Sequence, residues 1–278
     1  MMILDGKATA KKIREGLKDE IATIGEKISL AVILVGNDPA SEIYVANKIK
    51  ACREVGIESI LKRMPATATE DEIKEAVKTL NEDDSVDGIL VQLPLPKGVD
   101  SDAVVNTVVH EKDVDGLTYY LQGLLAYGVE PWAACTPSGI IKLFDEYAVE
   151  LEGKRAVVIG RSELCGKPLA ALLTERNATV TLCHSKTVDL KSITLEADVV
   201  AVCVGKPKFL TADMVKEGAI VVDVGVHRLD GGIVGDVDPE TFGKCSYYTP
   251  VPGGVGPMTI ATLLVNTLAA HKKRLNKK

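Results

Sequence analysis

The sequence lacks the runs and spacings that mark several large classes of protein. Its apolar runs, such as AVILV at 31–35, are no longer than a strand, so no membrane-spanning segment is expected. Charged residues interrupt the first twenty positions, so no secretory signal is predicted. No long basic run precedes the terminal HKKRLNKK, which we interpret as a solvated helix end. Together with a net charge of −6, this argues against a nucleic-acid surface.

The six cysteines show none of the spacings of a zinc or disulfide framework. They are scattered along the chain and no CxxC occurs. Scattered thiols are typical of a reducing compartment, so a cytoplasmic location is expected. His184 follows Cys183, but no third ligand stands near them in the sequence. We therefore predict no metal site.

What is present is an alternation of helical and strand-like segments. The 278 residues are 46% hydrophobic, which suggests two modest domains or one large one. The β-α-β rhythm predicts an α/β fold with a parallel sheet in each of two blocks. We place the domain crossing near residue 135. The predicted helices are 7–24, 39–55, 69–80, 119–125, 135–147, 167–176 and 258–270, and the predicted strands are 29–35, 57–61, 86–93, 155–159, 179–183, 199–204 and 219–224.

The second helix carries a lysine in an unusual position. At about 100° per residue, Ser41, Tyr44, Lys48, Cys52 and Val55 share one sector, which the pattern assigns to the buried face. Lys48 lies one turn from Tyr44. The lysine either extends along an apolar stripe to reach water, or is a desolvated amine that serves as a base or acid. The helix alone leaves both interpretations open.

Polar residues follow the strand at 86–93. Gln92 lies at its end, the edge at which ligands collect in parallel sheets. A buried glutamine there requires a hydrogen-bond partner, and Lys48 is a candidate. Asp115 precedes Gly116 and, taken alone, reads as a turn residue. Asp113 reads the same way.

The turn after the strand at 155–159 has the features of a phosphate site but lacks GxGxxG. In GRSELCG, Gly160 supplies a tight turn and Gly166 allows close helix packing. Arg161 and Ser162 can both bind phosphate. An ordinary strand–helix turn remains the alternative interpretation.

The next strand ends in CHSK, where an NAD-binding protein would show an acidic residue. Ser185 and Lys186 instead offer donors to a 2′-phosphate, which favours NADP. A solvated loop lysine is the alternative, and the distance in sequence from Gly160 favours the functional interpretation.

Eight stretches carry a resemblance to one known family. They are ASEIYVANKIKACREVGI, DGILVQLPLP, EKDVDG, CTPSGI, VVIGRS, VTLCHSKT, VVDVGVHR and TPVPGGVGPMT. In this order, spanning nearly the whole chain, they resemble the bifunctional methylenetetrahydrofolate dehydrogenase/methenyltetrahydrofolate cyclohydrolase family.

The resemblance implies two α/β domains: a folate-binding domain at 1–120 plus 257–278, and a Rossmann-like NADP-binding domain at 121–256. The C-terminal helix is expected to return to the first domain, the active site to lie in the cleft between domains, and the protein to be a homodimer. The implied activity is NADP-dependent oxidation of 5,10-methylenetetrahydrofolate and hydrolysis of the product to 10-formyltetrahydrofolate, in one-carbon metabolism and purine biosynthesis. The alternatives are a dehydrogenase without cyclohydrolase activity and a non-catalytic dinucleotide-binding sensor.

The resemblance also implies residue roles. Tyr44 packs on the aromatic system of the substrate, Lys48 handles the proton, Gln92 contacts and tunes Lys48, and Asp115 grips the pterin edge. The folate pocket is implied to be lined by Pro252, Gly253 and Gly254. The dinucleotide is implied to contact Gly160, Arg161, Ser162, Ser185 and Val226, to which the residue argument adds Lys186.

Three places depart from the family pattern. Glu163-Leu164-Cys165 stands where a valine commonly precedes the glycine, which weakens the NADP assignment slightly. Ala133-Ala134 replaces a usual proline, and Leu121 stands near an expected asparagine. Both lie near the domain crossing, where a change in cleft geometry is the expected consequence.

Overall fold

The computed structural model describes residues 1–129, 132–229 and 231–276, so the last two lysines of HKKRLNKK lie outside the described residues. The chain forms two compact units, each built on a parallel sheet. One comprises 1–10, 125–129 and 134–259, and the other 11–124, 130–133 and 260–278. We call them the C-terminal unit and the N-terminal unit. The functional domain boundaries given above stay a prediction.

Nine α-helices and eleven strands are present in the described residues. The helices are α1 (Gly6–Ile24), α2 (Pro39–Val55), α3 (Glu70–Glu82), α4 (Ser101–Val105), α5 (Tyr119–Ala126), α6 (Cys135–Glu146), α7 (Gly166–Glu175), α8 (Leu190–Leu195) and α9 (Val255–Leu275). The strands are β1 (Met2–Ile3), β2 (Ser29–Val35), β3 (Glu58–Met64), β4 (Gly88–Val91), β5 (Arg155–Ile159), β6 (Thr179–Cys183), β7 (Val199–Val202), β8 (Ile220–Asp223), β9 (His227–Leu229), β10 (Gly232–Val234) and β11 (Tyr247–Tyr248). None of these helices is both long and apolar enough to cross a membrane.

The N-terminal unit contains a three-stranded parallel sheet in the order β3-β2-β4. All seven residues of β2 are buried, as expected of a central parallel strand with a continuous apolar sequence. The strand predicted at 86–93 is shorter in the structure. Its pairing nevertheless extends by one residue at each end, because Asp87 N–H donates to Ser29 O and Gln92 N–H donates to Ile33 O.

Three of the helix ends predicted in this unit are confirmed. Asp38 caps α2 by accepting from Ser41 N–H at 2.8 Å, and Gly56 ends it in the left-handed region at φ 90°. Thr69 and Glu72 form the capping box of α3.

The C-terminal unit contains a six-stranded parallel sheet in the order β1-β11-β8-β7-β5-β6. Strands β5 and β6 have the predicted bounds. The sequence did not reveal β1 and β11, because two residues are too few to show alternation. It also did not reveal the antiparallel hairpin of β9 and β10, which are three residues each.

The C-terminal helix α9 returns to the N-terminal unit, as expected. There, Asn266 Nδ2 donates to Val114 O at 2.9 Å, and Arg274 Nε donates to Asp87 Oδ1 at 2.7 Å. His271 is fully buried, with Nδ1 at 3.0 Å from Asp87 Oδ1. These contacts with Asp87 hold the end of α9 against the start of β4.

Candidate active site

Lys48 and Gln92 meet at the carboxyl edge of the three-stranded sheet. Lys48 Nζ donates to Gln92 Oε1 at 3.0 Å. The glutamine is 9% exposed, and its Nε2 donates to Leu93 O at 2.6 Å, so both ends of the amide are fixed. The contact expected between these two residues is present in the structure. It gives the half-buried amine a neutral acceptor rather than a carboxylate.

The buried face of α2 agrees with the predicted face except at Tyr44. Ser41, Cys52 and Val55 are buried as expected, but Val45 is buried at 1% exposed while Tyr44 is 41% exposed. The prediction that Tyr44 shares the buried sector is therefore wrong. The helix packs on β2 and β3, and Tyr44 lies at the edge of its buried face. An exposed ring one turn from Lys48 is free to stack on a planar ligand.

Asp113 and Asp115 have different surroundings. Asp113 is 3% exposed and accepts from Gly116 N–H at 2.9 Å and from Thr118 N–H at 2.7 Å. Burial raises the pKa of Asp113 to about 6, against the effect of the hydrogen bonds from Thr118. Asp115 is half-buried, and its carboxylate has no hydrogen-bond partner in the described part of the chain. The turn is thus built by Asp113, and Asp115 is available to a ligand.

The loop at 252–254 is held by the first residues of the chain. Lys7 N–H donates to Gly253 O at 2.8 Å. A Cβ at Gly6 would lie 1.8 Å from Gly254 O, so only glycine allows α1 to begin this close to the loop. Sequence reasoning assigned Pro252, Gly253 and Gly254 to the folate pocket but missed Gly6 and Lys7. A glycine directly before the helix predicted at 7–24 was the available signal.

The turn after β5 has the geometry of a phosphate site. Gly160 has φ 117°, and a Cβ there would lie 2.3 Å from Cys203 O. A Cβ at Gly166 would lie 2.0 Å from Gly160 O, so the turn and the start of α7 are in close contact. The side chains of Arg161 and Ser162 are exposed beside them. An anion at this turn would meet a helix N-terminus and a cation together.

The loop after β6 exposes Ser185 and Lys186. His184 shapes this loop: its N–H donates to Thr187 Oγ1 at 2.8 Å, and its Nδ1 accepts from Lys186 N–H at 3.1 Å. Strands β5 and β6 are adjacent, so this loop and the Gly160 turn lie at the same sheet edge.

Cys183 is buried at the end of β6, next to His184 in the sequence. Burial raises the pKa of the Cys183 thiol, which disfavours the thiolate that a metal requires. No group of three potential ligands suitable for a metal ion occurs within the described ranges.

Val226 is 44% exposed just beyond the carboxyl end of β8. The residues around it include two buried acids, Asp223 and Asp236, and His227. Sequence reasoning quoted VVDVGVHR but gave a role to Val226 alone. The available signal in the sequence was an aspartate, Asp223, at the end of an otherwise apolar strand.

Models of two related domains match this chain. The tetrahydrofolate dehydrogenase/cyclohydrolase catalytic domain matches residues 4–115, and the NAD(P)-binding domain of the same family matches residues 134–275. The chain belongs to the tetrahydrofolate dehydrogenase/cyclohydrolase family. Within that family, the catalytic-domain match contains Tyr44, Lys48, Gln92 and Asp115.

Individual members of the tetrahydrofolate dehydrogenase/cyclohydrolase family match over the full length. The bifunctional protein FolD of Campylobacter hominis is 51% identical, covering 100% of this chain and 99% of the relative. The crystal structure of the bifunctional FolD methylenetetrahydrofolate dehydrogenase/cyclohydrolase from Campylobacter jejuni is 50% identical, with a TM-score of 0.96 and 99% of each chain covered. The Trypanosoma brucei enzyme, solved with NADP cofactor and inhibitor, is 35% identical, with a TM-score of 0.94 and coverage of 99% and 98%.

The departures from the family pattern have ordinary places in the fold. Leu121 is 2% exposed and fills the core, and Ala133 and Ala134 are buried. Glu163 pairs with Lys167 at 2.6 Å, and Cys165 is buried at the start of α7. None of these residues replaces one to which a chemical role was assigned.

Proposed function

We propose that this protein oxidises 5,10-methylenetetrahydrofolate to the 5,10-methenyl form with NADP and hydrolyses that product to 10-formyltetrahydrofolate. The observation that carries the proposal is the hydrogen bond from Lys48 Nζ to Gln92 Oε1, one helical turn from the exposed ring of Tyr44. It places an amine and an aromatic ring on one helix, beside the carboxyl edge of a parallel sheet.

The residues of the C-terminal unit fit a dinucleotide. A Cβ at Gly160 or Gly166 would collide with backbone, so the turn after β5 can only be this tight with glycine at both positions. Gly160, Arg161 and Ser162 would hold the pyrophosphate. When bound, NADP accepts the hydride that leaves the one-carbon bridge of the substrate. The task of the protein in that step is to position the substrate carbon and exclude competing water.

Lys48 is proposed to move the protons of the hydrolytic step. The oxidised one-carbon bridge is an amidinium-like cation, and water attacks its carbon. Ring opening then needs a proton to leave the attacking oxygen and another to reach a ring nitrogen. A neutral amine suits this task, because an ammonium ion beside a cationic substrate would be repelled. Gln92 Oε1 holds the amine in place without adding a negative charge that would favour the ammonium form.

Asp115 and Tyr44 are proposed to bind the pterin. The Asp115 carboxylate is half-buried, and in the described structure its oxygens are not committed to another donor. It can accept two parallel hydrogen bonds from the amide–amidine edge of a pterin, which fixes ring orientation as well as affinity. Tyr44 provides a face for the aromatic system.

A dehydrogenase that has lost the hydrolytic step is the second candidate. It would have no use for a lysine fixed by a buried glutamine, so the Lys48–Gln92 hydrogen bond favours the bifunctional enzyme. A non-catalytic dinucleotide sensor would need neither this pair nor Asp115.

The homodimer is a further part of the proposal. Within the described residues, β3 pairs only with β2, so one edge of the strand is free. Beside it, α2 and β3 line an open groove of about 400 Å³ that includes Val45, Ala46 and Ile49. Two copies related by a two-fold axis could pair their β3 edges and cover this groove. We expect Ala46→Asp to shift the dimer towards monomer in light scattering.

We place this activity in the cytoplasm, where it would supply one-carbon units to purine biosynthesis. The support is the set of six free cysteines, which a reducing compartment preserves.

A coupled absorbance assay tests the proposed function. Purified protein receives methylenetetrahydrofolate with NADP or with NAD, and reduced nicotinamide and the methenyl product are followed at separate wavelengths. Methenyltetrahydrofolate is then supplied alone, and its loss above the spontaneous rate measures the hydrolytic step. Failure to reduce NADP would overturn the dehydrogenase assignment. NADP reduction without hydrolysis above background would leave the dehydrogenase-only candidate.

A further inference from the structure

Two buried acids lie near the carboxyl ends of β7 and β8, outside the residues assigned to the dinucleotide. Asp223 is the last residue of β8 and is 1% exposed, and Asp236 follows β10 and is fully buried. Buried carboxylates are costly unless every lone pair has a donor. The donors that satisfy Asp223 and Asp236 therefore show which segments of the fold these two carboxylates hold together.

Asp236 joins two separate loops. Its Oδ2 accepts from the N–H groups of Val204 at 2.7 Å and Gly205 at 2.9 Å, directly after β7. Its Oδ1 lies 2.7 Å from His227 Nε2. A carboxylate only accepts, so the imidazole donates. One side chain thus fixes both the loop after β7 and the residue next to Val226.

Asp223 fixes Asp236 in turn. Asp223 Oδ1 accepts from Asp236 N–H at 2.8 Å and from Gly225 N–H at 3.1 Å, and Oδ2 accepts from Val237 N–H at 3.0 Å. Burial raises the pKa of Asp223 to about 6, and the nearby Asp236 adds to that shift. The two acids form one connected group with no water-exposed member.

Two glycines allow this close packing. A Cβ at Gly225 would lie 2.2 Å from Asp236 Oδ1, and a Cβ at Gly235 would lie 1.8 Å from Asp223 Oδ2. Each acid therefore packs against a glycine close in sequence to the other acid. The loops around Val226 and around Asp236 are mutually dependent, and neither can move alone without breaking these contacts.

The same group lies at the sheet edge that carries the phosphate turn. In the sheet, β7 lies between β5 and β8. Cys203 N–H donates to Ile159 O at 2.8 Å, so the loop held by Asp236 begins beside the Gly160 turn. Ligands of open α/β sheets bind outside the carboxyl ends of strands where the strand order reverses, here between β5 and β7.

We propose that Asp236 is a positioning residue for dinucleotide binding, acting through the Val204–Gly205 loop and through His227 to fix the segment that carries Val226. Because this role rests on the NADP-dependent function proposed above, its tests include the protein without any ligand. The carboxylate sets the two loops in their binding geometry before the cofactor arrives, which lowers the ordering cost of binding.

The principal variant is Asp236→Asn, which keeps the shape and one acceptor oxygen. Asp238→Asn is the matched control, because Asp238 caps the short helix Pro239–Lys244 through Glu240 N–H and an asparagine can do the same. We expect Asp236→Asn to weaken NADP binding at least tenfold in calorimetry and Asp238→Asn to leave it within twofold.

Hydrogen exchange of the free protein separates positioning from general stability. In Asp236→Asn, amides of 203–206 and 225–228 should exchange faster, while those of β5 and β6 keep their protection. Hydrolysis of methenyltetrahydrofolate, supplied without cofactor, should remain near the wild-type rate. Unchanged NADP affinity would overturn the proposal, as would faster exchange across the whole six-stranded sheet with loss of both activities.

A milder pair of variants keeps the test valid if Asp236→Asn does not fold. His227→Leu removes the donor to Asp236 Oδ1 and should weaken NADP binding, whereas His227→Gln supplies an amide N–H and should restore most of it. Equal affinity of the two variants would contradict the proposal. A wild-type protein that binds NADP but does not oxidise the folate overturns the proposed function alone, and one that does not bind NADP overturns both.

Discussion

Asp113 and Asp115 are two residues apart, yet the first is buried under two backbone donors and the second is half-buried and open to a ligand. The pattern DVDG alone gives both the same explanation as turn residues. The hydrogen bonds from Gly116 and Thr118 assign the turn to Asp113. This difference separates a residue needed for folding from one proposed to bind substrate.

Asp115→Ala is expected to weaken folate binding and leave NADP binding nearly unchanged. Loss of the Asp115 carboxylate leaves the pterin donors without a partner, which costs on the order of 1–3 kcal/mol of binding free energy. Calorimetry with each ligand separately measures both affinities, and thermal unfolding should show little change. Parallel weakening of folate and NADP would indicate a structural role for Asp115.

Asp113→Asn is expected to change the pH dependence of stability. The pKa of Asp113 is raised from 3.8 to about 6 in the folded state. The folded state therefore holds this proton more tightly than the unfolded chain, and the resulting stabilisation is present below pH 4 and lost as the pH rises through 6. The free energy of unfolding of wild type minus that of Asp113→Asn should fall by about 2.5 kcal/mol between pH 4 and pH 7.5, because one pKa unit corresponds to about 1.4 kcal/mol and part of the effect lies below pH 4. Denaturant titrations at pH 4 and pH 7.5 measure it, and a difference independent of pH would contradict the shift.

Lys48→Met is expected to abolish hydrolysis of methenyltetrahydrofolate while folate and NADP still bind. A group that moves protons in the reaction typically contributes roughly 10²–10⁴-fold. Lys78→Met is the control, because Lys78 is an exposed lysine on α3 whose amine lies 3.5 Å from Glu75. Hydrolysis of the supplied methenyl compound is compared with its spontaneous loss. A Lys48→Met protein working near the wild-type rate would remove the lysine from the mechanism.

Gln92→Glu tests the neutral acceptor beside Lys48. A carboxylate in this place would stabilise the ammonium form of the lysine, so hydrolysis should slow at neutral pH and recover as the pH rises. Gln92→Leu should slow hydrolysis without this recovery, because it supplies no charge. Rate–pH profiles of the two variants distinguish these outcomes, and identical profiles would show that the charge at position 92 is irrelevant.

The choice of NADP over NAD is expected to depend on Lys186. A charge-assisted hydrogen bond to the 2′-phosphate contributes roughly 1.5–3 kcal/mol, and about 1.4 kcal/mol corresponds to tenfold in kcat/KM. Wild type should therefore prefer NADP by at least tenfold. Lys186→Ala should lose NADP affinity and keep NAD use, while Lys18→Ala on α1 should change neither. Higher salt should weaken NADP more than NAD. Equal loss of both cofactors in Lys186→Ala would separate the lysine from the 2′-phosphate.

Local signals in the sequence were enough for most of the fold. Caps such as Asp38 and Thr69, and apolar runs such as β2, encode their structure within a few residues. The exposure of Tyr44 within the otherwise buried sector of α2 could not be predicted in the same way, since it depends on which distant segments cover that part of the helix. The Asp223–Asp236 group is likewise a contact between distant segments, visible only when both loops are folded.

The pairing of β1 with β11 has a consequence for how the chain folds. Met2 and Ile3 lie beside Tyr247 and Tyr248. Strand β1 therefore cannot pair until a segment almost 250 residues later in the sequence is available. During synthesis, Met2 and Ile3 stay without their strand partner until Tyr247 and Tyr248 have emerged. Contacts this distant in sequence are slow to form. Closure of the six-stranded sheet by β1 is therefore expected among the last events of folding, after the three-stranded sheet, whose strands all lie within residues 29–91.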